Sequence, residues 1–431
     1  MLIDVIGFIL VIGFLSICFW SLYNIPILAM GMRDFRKKRK ESYSSSDDSK
    51  LLSFSIILPV KNEENVIGPV LAAFSSLNYP KNKREIIIVE DGSTDRTLDI
   101  CLNYAKNHDG FRVLHRELSY GKPYALNYGL AHAKGDIVAV FDADSIPDVN
   151  ALIKADNYFK DPKIGAVQGK TSSGNASKNM LTRFSSYEET VWCEIYLRGK
   201  DLLKLFVHLK GNCEFIRRDI LTNMNGFDEN TLCEDMELSA RLLDNGYSIR
   251  YASDVIALQE SPSTLKNLFK QRTRWLRGTM EVAFKYGRLM TRMNMKNFDA
   301  ETTLFAPFLL IASLLPYFGI LLTFMNSPFN MWWSVLVVLA TLTTALSLMV
   351  CGFALIIASK PRRTKSLLWL PFIYFYWTFQ SFIALYALIL IVLRRPRHWT
   401  KTDRTGDVHK TMNQMAIDLL SEKELSSGPK D

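Results

Sequence analysis

Residues 136–145 read DIVAVFDADS, a short β-branched run that stops against two aspartates one residue apart. An apolar run of this length, bounded by polar residues, reads as a buried strand. In strand geometry residues i and i+2 project to the same side, so Asp142 and Asp144 are expected to face one ligand, with Ala143 turned away. Like charges that close raise each other's pKa and call for a shared proton or a bound cation. Hard carboxylate oxygens of this kind suit Mg2+ or Mn2+, with further ligands from water and a phosphorylated molecule. Two aspartates in an exposed turn, prolonged by SIPD, are the plainer alternative.

Outward from this stretch the chain alternates short apolar runs with helical patterns: FSIILPV (54–60), EIIIVED (85–91) and RVLH (112–115) precede DIVAVFD (136–142). Near-continuous β-branched runs separated by helices predict an α/β fold with a mostly parallel sheet covered on both faces. In such sheets ligands collect outside the carboxyl ends of the strands, and polar motifs stand there. PVKNEEN (59–65) follows the first run and EDGSTD (90–95) the second. Asp95 suits a helix cap for a helix beginning at Arg96, which leaves Asp91 to accept hydrogen bonds from a base or ribose. The stretch GKPYALNYGLAHAKG (121–135) reads as a helix with Lys122 at its start, placed for phosphate oxygens or, equally, for solvent. CEDME (233–237) opens another helical pattern; carboxylates in a first turn satisfy the helix dipole, and one near an acceptor hydroxyl would serve as a general base. In QRTRWLRG (271–278) a helix puts Gln271, Arg274 and Trp275 on one face, suited to clamping a diphosphate and packing on a sugar ring, or to lying on lipid headgroups.

The chain has 431 residues and a net charge of +9. No charged residue occurs from Val5 to Met32, and three more uncharged stretches lie near 304–326, 331–358 and 366–393, each long enough for a membrane-crossing helix. Asp4 before the first stretch and RDFRKKRK (33–40) after it favour an uncleaved anchor over a signal peptide. Much of the positive excess flanks the apolar segments (RKKRK, PRR at 361–363, RRPRH at 394–398), a pattern read by lipid headgroups and topology rather than by nucleic acid. The positive-inside rule then predicts a multi-pass protein of the cell membrane with residues 33–300 cytosolic. Residues 304–326 and 331–358 form an in-out-in hairpin, whereas the last segment has basic residues on both flanks. Pro371 in its aromatic start suits a broken or interfacial entry, so a third crossing and a re-entrant segment both stay open. Six cysteines without paired spacing fit a reducing compartment and suggest neither zinc nor disulfides.

The order of EDGSTD, GKPYALNYGL, FDAD, CED and QRTRW before membrane helices resembles the family 2 membrane glycosyltransferases, which include the cellulose, chitin-oligosaccharide, hyaluronan and poly-N-acetylglucosamine synthases. The resemblance covers about residues 54–405. It implies a GT-A type nucleotide-sugar-binding domain inserted between transmembrane helices, with the boundaries 1–32 (anchor), 33–52 (basic, polar linker), 53–262 (GT-A domain), 263–300 (interfacial helices with QRTRW), 301–393 (membrane segments) and 394–431 (loop and tail). It implies that Asp91 contacts the uracil of a UDP-sugar, that Glu63 of PVKNEE lies against the nucleoside, and that Lys122 approaches the diphosphate. Asp142 and Asp144 would hold the nucleotide and its Mg2+ or Mn2+, Asp235 would be the base, and Glu234 would contact substrate beside it. Gln271, Arg272, Arg274 and Trp275 would close over the diphosphate and acceptor. Trp399 and Thr402, in WTKTDRTG (399–406), would belong to a cytosolic loop reaching over the nucleotide. The sequence departs from its relatives at Glu90, where many carry Asp, and at Cys233, where many carry Thr. Its few membrane segments argue against a wide secretion channel from one chain, so a homo-oligomer or a short or lipid-linked product is implied.

One direct displacement at the anomeric carbon predicts inversion, giving a β-linked polysaccharide or oligosaccharide from an α-linked donor. Transfer of one sugar to a polyprenyl-phosphate or lipid acceptor is the alternative within the fold, and a non-catalytic membrane scaffold the alternative outside it. A glycoside hydrolase explains neither Lys122 nor the basic tryptophan helix.

Overall fold

β1 (Phe54–Val60) sets the architecture, because its alternate residues bury on opposite sides. Ile56 and Leu58 join one apolar cluster with Ile86, Ile88, Ile137 and Ala139, while Ile57 joins a second with Ile87, Val89, Val138 and Val140. A strand buried on both faces must sit inside a covered sheet, each such side chain contributing about 1.5–3 kcal/mol. In the computed structural model, which describes residues 2–36, 51–291, 294–315, 317, 331–358, 368, 370–397, 404 and 406, that sheet has eight strands in the order β3-β2-β1-β4-β7-β6-β8-β5. β2 (Arg84–Asp91), β3 (Phe111–Arg116) and β4 (Ile137–Val140) run parallel to β1. β7 (Glu214–Arg217) pairs antiparallel with β4 and with β6 (Ile164–Ser173), β8 (Ser248–Gln259) runs parallel to β6, and the two-residue β5 (Ile146–Pro147) closes the edge. The expected α/β sheet is therefore present, with antiparallel strands in its second half.

Helices α2 (Ile67–Ser75), α3 (Thr97–Asn107) and α5 (Ala151–Tyr158) cover the first face, through residues such as Phe74, Cys101 and Leu152. α4 (Lys122–Leu130) covers the second through Ala125 and Leu126. It stops five residues short of the expected end, and the chain turns through His132 and Ala133 into β4. α6 (Met180–Thr190), a π-helical stretch Val191–Leu197 and α7 (Arg198–Leu202) follow one another without interruption. α8 (Arg218–Asn223), α9 (Glu234–Asp244), α10 (Leu265–Tyr286), α11 (Met295–Leu304) and α12 (Ala306–Ala312) follow.

α1 (Leu2–Phe35) is joined to this body by a buried ionic knot. Lys200 and Asp299 are both fully buried with Nζ and Oδ2 3.0 Å apart, Tyr23 of α1 donates to Asp299 at 2.9 Å, and the Phe206 N–H donates to it at 2.8 Å. Among the described residues three helices are long and apolar enough to cross a membrane: Val11–Phe35, Thr341–Ala358 and Pro371–Val392. Of the stretch at 304–326 only the part through α12 and its end is described, and most of the linker at 33–52 lies outside the described residues. Leu370–Val392 is one continuous helix with Pro371 near its start, and most of the residues leading into it lie outside the described residues. Proline there occupies the first turn, where its missing N–H has no partner to lose. All six cysteines are free thiols.

Candidate active site

The carboxyl ends of β1, β2 and β4 open on one side of the sheet, and the acidic doublet stands there, but not on a strand. β4 ends at Val140, and Asp142 and Asp144 occupy the turn that follows, closed by the Ser145 N–H donating to Asp142 O at 2.9 Å. The Asp142 N–H is held by Asn212 Oδ1 at 3.2 Å. Strand alternation is therefore not what orients the two carboxylates; each turns to its own cation. Asp142 Oδ1 accepts from Lys122 Nζ at 2.9 Å, while Asp144 Oδ2 accepts the Glu260 N–H at 2.9 Å and lies 3.1 Å from Arg404 Nη1. Burial raises the Asp144 pKa, Arg404 opposes that, and the Asp142 charge adds to it. The donor set fits a hard divalent cation: two carboxylate groups, one buried, in a place that already draws positive charge. Among the described residues no cluster of three His, Cys, Asp or Glu is placed to hold a metal, so a cation here would take its remaining ligands from water and substrate.

Beside the doublet lies a second, deeper constellation. Lys122, the first residue of α4, sends its ammonium to Asp142, to Gly211 O at 2.6 Å and to within 3.4 Å of Glu234 Oε1. Burial alone would lower the Lys122 pKa; Asp142 and Glu234 outweigh it and raise it. Asp235, in the first turn of α9, accepts the Met236 N–H at 2.7 Å. Burial and the neighbouring Glu234 push its pKa up to about 7, against the pull of Lys122 and Arg274. Glu214, at the start of β7 and paired in register with Val140, is fully buried; burial and Asp235 push it up to about 8. Gly211 sits between these groups with φ +73°, and a Cβ there would lie 3.1 Å from Lys122 Nζ and 3.2 Å from Asp235 Oδ2. A carboxylate poised near neutrality beside a buried ammonium is what proton removal near neutral pH requires.

On the β2 side, Asp91 is almost fully buried. Its Oδ2 accepts from Ser119 Oγ at 2.6 Å and from the Gly121 N–H at 3.3 Å. Its Oδ1 is buried and has no hydrogen-bond partner among the described residues; Arg116 Nε stands 3.6 Å away. A buried acceptor left in this state favours a ligand donor. Glu63 is fixed by its backbone N–H on Thr97 Oγ1 at 2.7 Å; α3 begins at Thr97, one residue later than expected, with Arg96 at the cap position and Asp95 Oδ1 accepting the Thr97 N–H at 3.0 Å.

α10 packs against the start of α9 beside the site. Gly278 lets it approach α9, since a Cβ there would meet Cys233 Sγ at 2.5 Å, and Cys233 Sγ points to Trp275 O at 3.5 Å. Gln271 is buried and Trp275 is 36% exposed. Arg272 stacks 4.5 Å over Trp275 and pairs with Glu188 of α6, which also accepts from the Tyr376 hydroxyl and Gln380 Nε2 of the last helix. Trp399 and Thr402 lie outside the described residues, but their loop returns at Arg404 and at Gly406, whose N–H donates to Glu260 Oε2 at 3.0 Å. Glu214, Gly211, Glu188 and Arg404 were not singled out from the sequence. Glu214 carries no local signal, and Arg404 stood within the WTKTDRTG stretch.

Residues 53–278 match the family described as glycosyltransferase like family 2. The chain belongs to this family. A probable glycosyltransferase of Bacillus subtilis, YdaM, is 30% identical over 411 residues, covering 90% of this chain and 96% of its own length. The β-monoglucosyldiacylglycerol synthase of Nostoc sp. is 31% identical over 60% of this chain and 55% of its own. The poly-β-1,6-N-acetyl-D-glucosamine synthase of Staphylococcus epidermidis is 30% identical over 56% of this chain and 58% of its own. This glycosyltransferase therefore spans little more than half the length of the latter two. A mannosyltransferase of Pyrobaculum calidifontis, solved with GDP-Man and Mn2+, superposes with a TM-score of 0.59 at 21% identity, covering 90% of this chain and 100% of that one. It shares the GT-A-like fold.

Proposed function

We propose that this glycosyltransferase moves a sugar, with inversion, from a UDP-sugar to an acceptor at the membrane, most simply a growing β-linked glycan. The observation that carries this reading is Asp235, a half-buried carboxylate in the first turn of α9 that converges with Lys122 on Gly211 and whose pKa is pushed up to about 7 by desolvation and Glu234. Asp235 removes the acceptor hydroxyl proton as the new bond forms. Lys122 supports the departing diphosphate, because its charge and the N-terminus of α4 act together there. Asp91 and Glu63 receive the nucleoside, and Glu234 keeps the Asp235 pKa high. Gln271, Arg274 and Trp275 bound the acceptor side. Asp142 and Asp144 would hold Mg2+ or Mn2+, which when bound neutralises phosphate charge.

The second reading is addition of a single sugar to a lipid acceptor, supported by the identity to the β-monoglucosyldiacylglycerol synthase. One experiment tests both. Detergent-purified protein is incubated with a panel of nucleotide sugars and Mg2+ or Mn2+. Mass spectrometry reads product length, and NMR reads the new linkage. Repeated addition supports the polymer and one addition the lipid product; a retained anomeric configuration overturns the direct displacement.

A further inference from the structure

Where the last apolar helix ends, the chain makes a cavity of about 540 Å³ with α10, away from the strand-end site. Four arginines line it, Arg277, Arg394, Arg395 and Arg397, against the single carboxylate of Glu281. That carboxylate is already committed, with Oε1 3.0 Å from Arg277 Nε and Oε2 2.9 Å from Arg397 Nε. Arg394 and Arg395 are exposed and form no ion pair among the described residues. Their placement is built: Arg394 takes φ +48° to end the helix, the Arg395 N–H caps Leu390 O at 3.0 Å, and Arg277 donates to Arg395 O at 2.6 Å and Pro396 O at 3.2 Å. A left-handed arginine is unfavourable and persists only where its surroundings fix it. The other wall is apolar, formed by Phe284, 60% exposed, and Ile391, with Val392 and Leu393 exposed beside it.

We infer that this cavity binds the phosphate-bearing headgroup of an anionic membrane phospholipid, its acyl chains lying along Phe284, Val392 and Leu393. A net-positive hollow beside exposed apolar side chains, at the end of a helix long enough to cross a bilayer, matches an amphipathic anion better than a free one. The occupied site also braces α10. Arg277 lies next to Gly278, which seats Cys233 directly before Glu234 and Asp235, so the lipid and the proton-accepting carboxylate are linked through one helix. The binding claim stands on the cavity alone; the effect on turnover rests on the proposed transfer reaction.

The test uses the full chain in nanodiscs of phosphatidylcholine with or without phosphatidylglycerol, read by native mass spectrometry for retained lipid and separately by nucleotide release. Wild type is expected to retain phosphatidylglycerol over phosphatidylcholine. The double change Arg394→Asn with Arg395→Gln, in which Asn tolerates the left-handed turn, should weaken that retention about 25-fold, about fivefold for each charge removed. Lys160→Gln, an exposed charge on the catalytic domain, should change nothing. Nucleotide release should rise with phosphatidylglycerol in wild type and lose that dependence in the double variant. Equal retention of both lipids by wild type, or undiminished retention by the double variant, overturns the site. Displacement of the lipid by soluble glycerol phosphate at equal concentration overturns the lipid in favour of a free anion. Loss of nucleotide release in every lipid, with retention intact, counts against the transfer reading and leaves the site standing.

Discussion

Lys122 and Asp235 reach the same glycine from two different helices. The lysine donates to Gly211 O at 2.6 Å, and the position a Cβ would take on Gly211 lies within 3.2 Å of both side chains. With φ +73° and no free volume, this residue admits no side chain. Gly211→Ala should leave the fold intact by circular dichroism and lower the transfer rate about 10²-fold, by forcing the ammonium and carboxylate apart.

Asp235→Asn removes the proposed proton acceptor and keeps the shape. Turnover should fall about 10²–10⁴-fold, with nucleotide affinity nearly unchanged in calorimetry. The base acts only when ionised. In wild type, kcat/KM should therefore rise with pH and level off above about 7, the value to which burial and Glu234 push this carboxyl. A profile already flat from pH ~5 upward would exclude Asp235 from that role.

Glu214 gives a prediction about stability. Its folded pKa, about 8, lies above the ordinary 4.5, so the folded state binds more protons than the unfolded one between those values. Stability from this group is complete below about 4.5 and is lost as pH rises through about 8. Glu214→Gln should flatten the fall of Tm across that window, measured by differential scanning fluorimetry in detergent. A Tm that climbs with pH in wild type but not in the variant would reverse the assignment.

Chelation addresses the doublet. EDTA should abolish transfer, and Mg2+ or Mn2+ should restore it. Binding of Mn2+, followed by electron paramagnetic resonance, should be present in wild type and lost in both Asp142→Asn and Asp144→Asn. Full activity in EDTA would remove the cation from the scheme.

Much of this site was legible because strand ends are marked twice, by the stop of an apolar run and by the polar residues that follow. That marks Asp91 and Asp142, whereas Lys122 and Asp235 are marked by the starts of helical patterns. The doublet's surroundings were misread by one step: Phe141 still donates its N–H to Ile57 O, but the ladder ends at Val140, so a turn and not a pleat aims the two side chains. Glu214 was invisible, because its meaning comes from pairing beside Val140 and no local pattern records which strand will be a neighbour. For Arg272, helix periodicity gives a face but not the partner across it, here Glu188. The π-helical stretch Val191–Leu197 likewise has no spacing that foretells it.

The pair Lys200–Asp299 offers a structural test. Removing one partner of a fully buried ion pair strands the other charge, at a cost of about 3–5 kcal/mol. Asp299→Ala should lower Tm by roughly 10 °C, and the joint change Lys200→Met with Asp299→Leu should recover much of the loss. A tolerated Asp299→Ala would show that the pair does not hold the body together.

That same knot reaches Tyr23, inside the first apolar helix, so the α/β domain is bolted to that helix and does not dangle from it. A tethered enzyme samples every height above a bilayer; a bolted one works at a single altitude. Under the proposed transfer reaction, chain-length selection would then be a matter of standoff, with the acceptor hydroxyl that stands at the level of Asp235 being the one that is glycosylated.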